Sequence, residues 1–256
     1  MNIILTPVLQ DLRKIYDVKG MMPRFEAYRS LMLTQRGETL PLGVFSPMGK
    51  KQPDYLDKLI AMDAESIASD TIEKVLHKLS GIDSNYRIML VVVDEKHNGW
   101  TERHATDAEW RFQNKYDTVP KQDPSFDRWI TVQLWTDSEP TSEYIQQETL
   151  SAIYRALHQR VFGLPRTLLA MIEQEGRAHV FAGRITALSQ EEVQQGLADI
   201  SKHLESSNYA ICFTVFYGDQ AGNKNGYSSL GLPPAYGFTL AVGKASYEEE
   251  PLHFIS

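Results

Sequence analysis

The sequence holds a single cysteine, Cys212, which excludes an intrachain disulfide and any metal site built from several thiolates. One thiol also fits a reducing compartment. The longest strongly apolar run, IMLVVV at 88–93, falls far short of the roughly 20 residues that a membrane helix needs. The first residues, MNIIL, carry no basic stretch before them and no small-residue cleavage signal after them. Together these absences predict a soluble, cytoplasmic protein with no membrane partner. Catalytic signatures are missing too. There is no G-x-G-x-x-G, no H-E-x-x-H and no serine in a nucleophile elbow. The loop starting at Gly218 fails the P-loop pattern, because Asn223 stands at its second glycine position and Asn225 follows Lys224.

What is present is an acidic chain of ordinary globular composition, with a net charge of −7 over 256 residues and 42% hydrophobic residues. Residues 1–51 carry eight Lys/Arg against four Asp/Glu, about +4, which leaves about −11 on the rest. An acidic body repels phosphate, so nucleic acid is not expected as a partner.

Hydrophobic spacing orders the chain. Pro7 and Pro23 are placed to open short helices, and apolar positions from Leu56 to Leu79 recur at helical spacing, as one helix or as two joined near Asp63. YRIMLVVVD, from Tyr86, is apolar at both alternating sets, as a strand covered on both faces would be. RWITVQLW, ending at Trp135, reads as the next strand, and a long helix from about Thr141 can end at Gly163. Thr106–Glu109 and Ser189–Glu192 have the spacing of capping boxes. YAICFTVFY and YGFTLAVG read as two closing strands, the second with a small face of Gly237, Thr239, Ala241 and Gly243 suited to close approach by a helix. These elements predict an α+β fold, with α/β as the alternative. Its mixed sheet has about five strands with packed helices, in a single domain over 1–256. Residues 1–81 form a mainly helical N-terminal layer and 82–256 a sheet-containing body.

One stretch concentrates chemistry. In VVVDEKHNGWTERH, Asn98-Gly99 is a strong signal for a two-residue type I′ hairpin. That register pairs Glu95 with Glu102, His97 with Trp100, Val93 with His104 and Asp94 with Arg103. One face then carries two opposed carboxylates flanked by histidines. Such a pair is relieved by water, by a shared proton or by a bridging cation. The cluster therefore reads in three ways: as the solvated tip of a hairpin, as a divalent-metal site of Glu95, Glu102 and His104, or as a metal-free pair. In the pair, His104 is the general base and Glu102 orients it. Trp100, Trp129, Gln133 and Trp135 mix aromatic and hydrogen-bonding groups, as pockets do, and would line the substrate side. His77 and His158 read as half-buried packing groups. Glu250 and His253 are separated by Pro251 and form no helical ligand pair. The functional expectation is a small-molecule enzyme working by acid–base or metal-assisted hydrolysis. Its rival is a binding or scaffold protein that uses the N-terminal helices to dock a partner or a second copy of itself, as a homo-oligomer.

Overall fold

The computed structural model describes residues 1–33, 40–79, 84–94, 96–97, 101–113 and 128–248, with backbone only at 96, 97 and 101. The chain divides into two compact units, Met1–Trp110 with Asn114–Ala152, and Arg111–Gln113 with Ile153–Phe254.

The first unit contains a three-stranded sheet of β1 (Asn2–Leu5), β2 (Asn85–Val93) and β5 (Arg128–Trp135), in the order β1-β2-β5. Both pairings are parallel: Ile3 lies opposite Tyr86, Ile88 opposite Ile130, and Val93 opposite Trp135. The central place of β2 explains the apolar run of its later part, since a stretch with neighbours on both sides and cover on both faces has no position left for a polar side chain. Ile88 through Val93 are all fully buried. Between β1 and β2 come α1 (Leu9–Ile15), α2 (Met21–Met32), α3 (Gln52–Ala61) and α4 (Ala64–Leu76). Asp63, at φ 55°, breaks the last two apart at the expected place. Val8 offers α1 no side-chain cap, and the Glu65 carboxylate supplies one from α4, accepting the Val8 and Leu9 N–H groups at 2.6 and 3.0 Å. The Gly- and Pro-rich segment before α3 is irregular, as expected, yet buried. Leu42, Val44 and Phe45 are core residues, and the Tyr28 and Tyr16 hydroxyls donate to the Leu42 and Ser46 carbonyls at 2.8 and 2.5 Å. After β2 the chain makes a small antiparallel pair, β3 (Lys96–His97) and β4 (Thr101–Glu102), and then enters α5 (Arg103–Gln113). Beyond β5 it starts α6 (Ser142–Phe162).

The described part of the second unit is helical throughout. It holds the ends of α5 and α6, then α7 (Leu168–Phe181), α8 (Gln190–Asp199), α9 (Tyr209–Tyr217), α10 (Asp219–Lys224) and α11 (Tyr236–Ser246). The capping box at Ser189 forms: Glu192 N–H donates to Ser189 Oγ at 3.2 Å, and Ser189 N–H to Glu192 Oε2 at 2.7 Å.

The expected mixed sheet of about five strands is therefore corrected to three parallel strands in one open sheet, within a mostly helical chain. Two expected strands are helices. YAICFTVFY is α9, started by Asn208, whose Oδ1 accepts the Ala210 and Ile211 N–H groups at 3.0 and 3.3 Å, and ended at Gly218 with φ 83°. YGFTLAVG belongs to α11. Both runs are apolar all round because both helices are buried, and short apolar runs of this kind lack the periodicity that separates helix from strand. The small residues of α11 do serve close packing, now at helical spacing. A Cβ at Gly237 would lie 2.9 Å from Phe216 Cα of α9, and one at Gly176 would lie 2.1 Å from the Ala241 carbonyl oxygen. In the other direction β1 is a strand within the N-terminal segment expected to be helical.

Candidate functional site

In an open parallel sheet, ligands bind outside the carboxyl ends of the strands, where the chain leaves toward its helices. In the first unit that edge is unusually polar. Asp94 follows β2 directly and is buried, and its Oδ1 accepts a hydrogen bond from Thr136 Oγ1 at 3.2 Å, just past the end of β5. Gln52, at the start of α3 and fully buried, reaches the Val92 carbonyl with its Nε2 at 3.5 Å. The Tyr16 hydroxyl lies against Gln52 Oε1, and burial first, then the charge of Asp94, push its pKa up.

Beside this group the guanidinium of Arg103, the first residue of α5, stacks over the Trp135 ring with 3.8 Å to its centroid. Its Nε lies 3.5 Å from Asp137 Oδ2, whereas its Nη1 is buried without a hydrogen-bond partner. Among the described residues of the same unit, Tyr55 Oη and Trp135 Nε1 are further buried donors without a partner. Tyr55 is raised well above the ordinary tyrosine range, by burial first and then by Tyr144, Asp137, Glu139 and Glu148. Tyr144, which accepts the Trp135 N–H at 3.3 Å, is pushed up to about 12, chiefly by burial and then by Glu148. Buried donors are almost always paired, so Arg103 Nη1, Tyr55 Oη and Trp135 Nε1 each call for an acceptor.

The hairpin residues fall as follows. Lys96 pairs with Glu102 and His97 with Thr101, so three residues separate the strands and the register is one step from the type I′ expectation. Glu102 therefore faces Lys96 rather than Glu95. Glu95 and Trp100 lie outside the described residues, as does the His97 side chain. Glu102 Oε2 accepts the Ala105 N–H at 2.9 Å and so caps α5, while Oε1 lies 3.4 Å from His104 Nδ1, outside hydrogen-bond alignment. The imidazole and the carboxylate are thus together and about one-third exposed, at 39% and 32%. Among the described residues no group of three or more His, Cys, Asp or Glu is arranged to hold a metal ion. Trp129, Gln133 and Trp135 are all buried in β5.

The second unit holds a different charged cluster, which the hydrophobic pattern hid inside helices. Glu175 of α7, fully buried, takes Arg111 Nη1 at 2.6 Å and Arg155 Nε at 3.2 Å. Gln174 Nε2 and Gln159 Nε2 both donate to the Arg111 carbonyl, at 3.0 and 3.1 Å. His179 Nε2 is 3.7 Å from the same carboxylate, and its ring stacks on Phe238. Burial first, then Arg184, Arg111 and Arg155, hold that imidazole well below its ordinary pKa. Two guanidinium groups thus meet one buried carboxylate, and the cluster reads as a structural tie between Arg111, Arg155 and Glu175 within the second unit.

Compared with protein-family models, with curated proteins and with solved structures, the chain matches none. Among the described residues no helix is long and apolar enough to cross a membrane.

Proposed function

We propose that the protein is a small-molecule hydrolase of the acid–base type, with its substrate at the carboxyl edge of the sheet in the first unit. The observation that carries this reading is the set of three buried donors without acceptors, Arg103 Nη1, Tyr55 Oη and Trp135 Nε1. A substrate oxygen supplies the missing acceptor. Glu102 and His104 flank Arg103 in sequence, and Glu102 is fixed by its cap on α5. With Nδ1–H turned toward Glu102, His104 presents Nε2 as the base. It takes a proton from water as the oxygen attacks the scissile carbonyl, and returns it to the leaving group as that bond breaks. Hydrolysis of chromogenic esters and anilides by wild type and His104→Gln tests this. Turnover lost in His104→Gln, with a pH profile that moves in Glu102→Gln, supports it; equal rates in all three contradict it.

A second reading, self-association through α2, is favoured by one observation. Met21, Met22 and Phe25 are exposed, at 68%, 60% and 38%, on a helix that buries little besides Tyr28, and Leu33 just past its end is exposed at 56%.

A further inference from the structure

Gln133 lies in the middle of β5, opposite Val91, with no exposed surface, and neither its amide oxygen nor its amide nitrogen has a hydrogen-bond partner among the described residues. A buried amide left unpaired is destabilising, and a leucine or methionine fills nearly the same volume without that cost. Its strand neighbour on the same face, two residues along and about 7 Å away, is Trp135, whose indole N–H is one of the three orphaned donors. The residues of β2 beside them in the parallel register are Val91 and Val93, which offer no hydrogen bond.

We infer that Gln133 determines specificity at the ligand site proposed above, and that the ligand carries a carboxamide-type edge, a donor and an acceptor side by side. The inference rests on that ligand-site reading. Complementarity selects the class. An amide answers both atoms of a glutamine side chain at once. A carboxylate would set an acceptor against Gln133 Oε1, and an amidinium a donor against Nε2.

The test uses three probes of one size: acetamide, acetate and acetamidinium. Each is titrated into the full-length protein while the side-chain amide resonance of Gln133 and the indole resonance of Trp135 are followed by NMR. The Gln133→Met and Trp135→Phe variants assign the two signals. Acetamide is expected to move both, with the charged probes at least about tenfold weaker. Gln133→Met should keep or raise the melting temperature and lose about tenfold or more in acetamide affinity, and Gln133→Glu should favour acetamidinium instead. Tightest binding by acetate, or unchanged acetamide affinity in Gln133→Met, overturns the role of Gln133 while leaving the site standing. Acetamide moving the indole and not the Gln133 amide does the same. If none of the probes moves either resonance, the ligand site itself falls, and the inference with it.

Discussion

The Arg103 guanidinium lies flat over the Trp135 ring, 3.8 Å from its centroid, and its Nε faces Asp137 at 3.5 Å. A planar cation stacked on an indole and a point-charge ammonium are different objects, so lysine is no substitute here. Arg103→Lys and Arg103→Ala should both lose about 1 kcal/mol of stability, and should lose it to similar extents, in urea unfolding monitored by tryptophan fluorescence. Full retention of stability in the lysine variant would show that only charge matters at this position.

His179 makes the stability of the second unit depend on pH. Its folded-state pKa is depressed below the ordinary 6.5, chiefly by burial. The unfolded chain therefore binds more protons, so this contribution is fully present above about pH 6.5 and is lost as the pH falls below it. The slope is at most about 1.4 kcal/mol per pH unit. Denaturation midpoints between pH 5 and 7.5 should rise with pH in the wild type and flatten in His179→Gln. A parallel slope in the variant would assign the effect to another group.

Gly176 lies where α7 meets the backbone of α11. Alanine is the better helix former by about 1 kcal/mol, yet its Cβ would sit 2.1 Å from the Ala241 carbonyl oxygen, which is backbone and cannot rotate away. Gly176→Ala should therefore destabilise by about 2 kcal/mol or more in thermal or urea unfolding. An unchanged or higher midpoint would mean that the two helices part at little cost.

Cys212 is buried, and burial raises its thiol to about 11, so almost no thiolate is present at neutral pH. Ellman's reagent should label it slowly in the native protein and at once in urea. Rapid native labelling would place it at an accessible surface.

If α2 is a self-association surface, Phe25→Glu should convert a dimer to a monomer in light scattering after size exclusion. A wild-type protein that is monomeric at all concentrations would remove that reading.

The sequence was legible where local chemistry acts alone. β2 and β5 follow from β-branched runs, the break at Asp63 from a gap in helical spacing, and α8 from its capping box. It misled where tertiary context decides. The all-round apolar runs of α9 and α11 are buried helices, and the pairing of His97 with Thr101 puts the hairpin one step from the register that Asn98-Gly99 predicts. β1 is four residues long and pairs with β2 across more than eighty residues of chain, so no local pattern announces it. Of the site, Gln133, Trp135, Glu102 and His104 were readable as chemistry. Arg103 read as a plain partner for Asp94, and Tyr55 drew no reading. What makes those two notable is an unpartnered buried donor, which only the fold creates.

The central claim is that the orphaned donors at the carboxyl edge of the sheet wait for a ligand oxygen. A saturation-transfer NMR screen of small hydroxyl- and carbonyl-bearing fragments, run in parallel on wild type and Arg103→Ala, tests it most directly. A group of fragments should bind the wild type and lose saturation transfer in the variant while its fold, judged by circular dichroism, is kept. The same fragments binding both proteins equally would contradict it.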